Sequence, residues 1–155
     1  MRELITVWGN TRQLVLISVT AALYAAILIP FKVAIPLVPG LTEVRPANVI
    51  PIVCSLLFGP AAAWGSAIGN LVGDLYGGTF GPGSFFGFIG NFLYGYIPYR
   101  LWRAIGGGEP LFARWPLVLR YFLVALVASV ACGVVIGWGV TGVIADSLEL
   151  LRALK

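Results

Sequence analysis

Between Leu14 and Phe31 the chain runs for 18 residues without a charged side chain. Between Leu117 and Trp138 it runs for 22 residues with Arg120 as the one charge. A helix needs about 20 consecutive apolar residues to cross the hydrocarbon core of a bilayer. Two such runs in 155 residues, 59% of them hydrophobic and 10% charged, leave too little polar surface to solvate a soluble domain. An ordinary soluble domain carries about 25% charged residues. Disorder is excluded by the same arithmetic. The two cysteines, Cys54 and Cys132, are too few to staple a chain of this length. Without histidine, histidine-based catalysis and histidine metal sites are excluded too. The fold class this predicts is an all-α integral membrane protein in a single membrane domain, residues 1–155.

Five spans are predicted, at about 14–31, 47–58, 61–76, 84–102 and 117–138, with an amphipathic segment over 140–155. The first run is too long for the hydrophobic region of a signal peptide, so cleavage is not expected. Pro30 and Lys32 are expected to end it. Gly59-Pro60 breaks the second span from the third, which predicts a tight helical hairpin. Arg2 and Arg12 precede the first span, and Arg100, Arg103, Arg114 and Arg120 cluster around the connection between spans four and five. Basic residues stay on the cytoplasmic side. Both groups then give one orientation, with the N-terminus cytoplasmic and the loops at 33–45 and 77–82 facing outward. Charge of this kind reports topology and does not predict nucleic-acid binding.

Gly65, Gly69, Gly73 and Gly77 recur every four residues. On a helix they form a smooth stripe, and small residues let membrane helices approach closely. Gly83, Gly87 and Gly90, and then Gly133 and Gly137, read the same way. In the first span Ser18, Ala22 and Ala26 share one stripe, and Ala21 and Ala25 the next. By spacing these faces serve packing inside the bundle or docking of another membrane protein.

Polar groups inside a membrane are costly and need a reason. Arg45, Asn48, Asn70, Asp74 and Asn91 come from three spans and all map to the outer half. Two readings stand: they tie helices together, or they line an outward pocket for a small polar molecule. In the second reading Trp64, Phe80, Phe85, Phe86, Phe88 and Tyr94 supply aromatic walls. Cys54 and Cys132 read as small core residues. No nucleophile sits beside a base and no phosphate-binding loop is present, so no enzyme is expected.

The run from Arg45 to Leu75, RPANVIPIVCSLLFGPAAAWGSAIGNLVGDL, resembles the substrate-binding S components of energy-coupling-factor (ECF) transporters. The matching residues are Pro51, the Phe58-Gly59-Pro60 turn, Asn70 and Asp74, with Ala21/Ala25 and Ala22/Ala26 resembling that family's docking motif. The resemblance covers about residues 11–104. That family has a bundle of six helices, so the resemblance implies a compact bundle of five to six transmembrane helices in the plasma membrane, with a pocket roofed by the first loop. It implies uptake of a vitamin or cofactor precursor, and partners comprising a membrane scaffold subunit and two ATPase subunits. Substrate-binding residues would be Arg45, Asn48, Asn70, Asp74, Asn91, Trp64 and Tyr94; partner-docking residues would be Ala21, Ala22, Ala25 and Ala26. No resident cofactor or metal is expected, and the lack of histidine discounts metal-ion uptake. The chain departs from the pattern in having no convincing sixth span. The rival functions are a ligand-free membrane assembly protein, in which Arg45, Asn70 and Asp74 satisfy one another without a cavity, and a small homo-oligomeric transporter with a polar stripe through the full depth.

Overall fold

A computed structural model describes residues 2–34, 36–38, 42–43, 45–105 and 114–153. Six helices dominate: α1 (Arg2–Thr6), α2 (Thr11–Ala34), α3 (Val49–Phe58), α4 (Pro60–Tyr76), α5 (Pro82–Ile105) and α6 (Trp115–Ala153). Two short strands, β1 (Pro36–Val38) and β2 (Thr42–Glu43), pair antiparallel between α2 and α3. A 3₁₀ turn over Pro46–Asn48 leads into α3. The loop expected at 33–45 thus contains a small hairpin; its residues 35, 39–41 and 44 lie outside the described residues.

Among the described residues, two helical stretches are long and apolar enough to cross a membrane, Thr11–Phe31 and Trp115–Gly142. By contrast α3, with 10 residues, is about 15 Å long at 1.5 Å per residue. That is half the thickness of the hydrocarbon core. Pro30 does not end the first helix, which continues to Ala34 with the proline inside it. Proline is tolerated within membrane helices because neighbouring groups can satisfy the freed carbonyl. The segment expected as a separate amphipathic stretch from 140 continues α6 unbroken to Ala153. Its last two residues are outside the described set.

The Gly59 turn is built as its sequence demands. Gly59 has φ +66°, a left-handed conformation that side chains other than glycine's rarely adopt. Its amide donates to the Ser55 carbonyl at 3.0 Å, closing α3. Pro60 then opens α4 at the first helical position, where a missing N–H costs nothing.

From that turn α4 runs back along α2, and the glycine stripe is the seam. A Cβ on Gly65 would meet Thr20 Cβ at 2.5 Å, one on Gly69 the Ala21 carbonyl at 2.8 Å, and one on Gly73 Leu28 Cδ2 at 2.5 Å. On α5, Gly95 lies against the Ala63 backbone and Gly90 against Ile136 of α6. The packing reading holds for these. It fails for Gly83, Gly133 and Gly137, where an added Cβ meets nothing within 4 Å. On α2, Ala25 is buried and Ala21 backs onto Gly69, whereas Ser18, Ala22 and Ala26 are exposed. The two small-residue stripes therefore divide between the bundle and its outer surface.

The short α1 is pinned at the Gly59 end. The Trp64 indole donates to the Leu4 carbonyl at 3.1 Å, and the Trp8 and Trp64 rings meet edge to face at 5.4 Å. Tyr99 donates its hydroxyl to Glu3 at 2.8 Å, and Arg103 lies 3.6 Å from the same carboxylate. The Tyr99 hydroxyl, followed by the Arg103 charge, holds the Glu3 carboxyl below the usual carboxylate range. A depressed folded value means the contact is complete above about pH 4.3, the ordinary glutamate pKa. It is lost as pH falls through the lower folded value. Acid titration of tryptophan fluorescence should therefore report release of Trp8 below that range, and a Glu3→Gln variant should show no such transition.

A candidate ligand cavity between α3, α5 and α6

In the half of the bundle away from the Gly59 turn, a cavity of about 370 Å³ opens between the turn before α3, α5 and α6. Arg45, Asn48, Asn91, Tyr94, Ser129, Cys132, Gly133, Ile136 and Gly137 line it. Pockets for small ligands span about 300–1,000 Å³ and combine apolar walls with a few placed polar groups. This one has that composition. The Tyr94 and Ser129 hydroxyls join across it at 3.1 Å. Along α6, Gly133 and Gly137 are exposed, and their missing side chains make the room.

Two of the polar residues expected at the site stand behind it. Asn70 and Asp74 are buried on α4 and do not line the cavity. They are four residues apart on one face, and the Asn70 amide donates to Asp74 Oδ2 at 3.4 Å. Arg45 in turn donates to Asn70 Oδ1 at 3.5 Å. The α4 pair thus forms a strut that holds the Arg45 guanidinium at the cavity wall. Gly87 of α5 is what lets this strut fit, since a Cβ there would lie 3.1 Å from Asn70 Nδ2.

Trp64 does not join the site. It lies ten residues before Asp74 on α4, about 15 Å along the helix axis. There it packs on Trp8 and Phe92 instead. Of the six expected wall aromatics, Tyr94 lines the cavity, while Phe80 and Phe85 are exposed. Cys54 is buried in α3, away from the lining, whereas Cys132 faces the cavity. Among the described residues no cluster of metal-ligating side chains occurs.

The family model described as "QueT transporter" matches residues 14–152, which span every residue of the cavity and its strut. The chain belongs to the QueT transporter family. Neither a curated protein nor a solved structure gives a match. QueT transporters are S components of the energy-coupling-factor type, so the resemblance read from Arg45–Leu75 holds, and the family is one of transporters and not of enzymes. The match extends well past the stretch that carried the resemblance, through most of α6. That matters for the site, because Ser129, Cys132, Gly133, Ile136 and Gly137 all lie in α6 and none was singled out as a ligand contact from sequence. One signal was available for them: 129, 133 and 137 recur every four residues as small side chains on one face of the helix. The same spacing on α4 marks a packed seam, so the pattern alone does not distinguish the two. Tyr24 was also missed. It is fully buried on α2, and its hydroxyl donates to Asn91 Oδ1 at 2.8 Å.

Proposed function

We propose that this QueT family chain is the substrate-capture subunit of an ECF uptake system and binds a queuosine precursor in the cavity between α3, α5 and α6. Queuosine-precursor uptake is the activity of QueT S components. The observation that carries the reading is the cavity itself, with Arg45, Asn48, Asn91 and Ser129 among its lining. Queuosine precursors are substituted deazaguanine bases, flat and edged with donors and acceptors. An arginine, two carboxamides and a hydroxyl supply both in return. A ligand-free assembly protein needs the polar groups satisfied and no space left over. Arg45, Asn70 and Asp74 do engage one another, yet the open space remains beside them.

In this reading the bundle is multi-pass in the plasma membrane, with the basic Gly59 end cytoplasmic, by the positive-inside rule. The cavity then faces outward, and the loops at 33–45 and 77–82 gate it. Docking of the membrane scaffold falls to Ala22 and Ala26, the exposed stripe of α2, more than to Ala21 and Ala25, which face the bundle. Energy comes from two ATPase subunits through that scaffold. Calorimetry on the purified chain in detergent, titrated with a deazaguanine queuosine precursor, tests the proposal. Saturable binding without ATPase subunits is expected. No binding by a folded sample would overturn the reading.

A further inference from the structure

Tyr24 is the largest side chain with no exposed surface. It comes from α2, which contributes nothing to the cavity lining, yet its hydroxyl reaches two residues that do. The bond to Asn91 Oδ1 is 2.8 Å, and Asn48 Oδ1 lies at 3.4 Å. A phenol carries one proton, and the shorter contact takes it. On its other side the Asn91 amide nitrogen donates to the Gly87 carbonyl at 2.8 Å. A carboxamide has two N–H donors and two acceptor lone pairs. Tyr24 uses one lone pair and Gly87 one N–H. Turning the amide over would set Oδ1 against the Gly87 carbonyl and lose that bond, and would leave the Tyr24 hydroxyl to accept from Nδ2 and give its proton to Asn48 at the longer 3.4 Å. The orientation of Asn91 is therefore set by the Gly87 carbonyl, which can only accept, and held in place by the short Tyr24 bond, with one donor and one acceptor unused by these bonds.

We infer that Tyr24 is the positioning residue of the cavity: its hydroxyl holds the Asn91 amide, oriented by Gly87, in the place where Asn91 meets a ligand edge carrying an acceptor beside a donor, as a lactam does. The ligand part of this rests on the proposed capture function; the amide orientation does not. The same residue ties α2, whose opposite face bears Ala22 and Ala26, to the ligand-binding side of the bundle.

Tyr24→Phe removes the hydroxyl and keeps the ring. Affinity for the deazaguanine precursor should fall about tenfold, the loss expected for one hydrogen bond to a buried group. In an Asn91→Ala background the same change should cost no further affinity, because Tyr24 acts through Asn91. Unaltered affinity of Tyr24→Phe, or losses that simply add, overturns the inference. A second readout needs no ligand. The chain has four asparagines, Asn10, Asn48, Asn70 and Asn91, so selective ¹⁵N-asparagine labelling gives four side-chain amide pairs, and Asn91→Ala identifies the relevant one. In Tyr24→Phe that pair should broaden as the carboxamide gains motion about its Cβ–Cγ bond; a pair that stays equally sharp overturns the inference. If the parent protein binds no precursor, the capture function falls, and the amide signals still decide the role of Tyr24.

Discussion

A Gly133→Leu variant should lose capture of the deazaguanine precursor, with affinity down on the order of 100-fold, equivalent to about 2.7 kcal/mol. Gly133 lines the cavity, and a Cβ added there meets no atom within 4 Å. An isobutyl group at this position enters the space the ligand needs. Its Cβ meets no atom within 4 Å, so the helix itself has no reason to shift. The backbone sits inside α6 with an ordinary helical conformation, and glycine is less favourable than leucine in a helix interior by about 0.8 kcal/mol. Thermal unfolding in detergent should therefore stay level or rise slightly while calorimetry records the loss of binding. Gly142→Leu is the control. Its Cβ is equally unobstructed, and the residue is outside the lining, so binding should be unaltered. Equal binding by Gly133→Leu and the parent would show that the ligand sits elsewhere.

Gly65→Val should act in the opposite way, on the fold before the site. Its Cβ would lie 2.5 Å from Thr20 Cβ and 2.7 Å from the Ile17 carbonyl. The second obstacle is backbone, which cannot rotate aside. Either α2 and α4 separate or one helix shifts along the other. Overpacking of this kind costs about 1–3 kcal/mol, occasionally more. The loss is unusually consequential here, because lipid tails give apolar helices no net drive to associate, and close packing supplies most of the attraction. A lower unfolding midpoint and a larger fraction of aggregated protein in size-exclusion chromatography are expected. A variant as stable as the parent would show that the α2–α4 seam is looser than its glycines imply.

Set side by side, these two glycines explain how much of the chain was legible beforehand. Both sit in stripes of small residues four apart, and both invite the packing explanation. For Gly65, Gly69 and Gly73 that explanation is correct, because α2 lies against them. For Gly133 and Gly137 it is not, because among the described residues no atom lies within 4 Å of a Cβ added there. A similar division separates the polar residues. Arg45, Asn48, Asn70, Asp74 and Asn91 lie close together in the structure, as their depth along the helices implies. Depth does not say which of them looks into open space. Asn70 and Asp74 face α5 and Arg45, and so become a strut, while Arg45, Asn48 and Asn91 face the cavity. Trp64 packs on Trp8 and Phe92 and not at the cavity for a simpler reason: an aromatic residue in a span marks a wall without saying of what.

What composition and spacing did determine is the helical membrane fold itself. Long uncharged runs admit no other way of satisfying their backbone groups in lipid. They also determined the Gly59-Pro60 turn, where backbone conformation depends on the residue and its immediate neighbours. The position and lining of the cavity, the exposed choice between Ala22/Ala26 and Ala21/Ala25, and the reach of Tyr24 to Asn91 came from how the helices lie against one another. Periodicity tells which residues share a face of one helix; the distance to whatever stands opposite that face is a property of two helices at once. A glycine stripe is therefore a seam or a cavity wall depending on its neighbour.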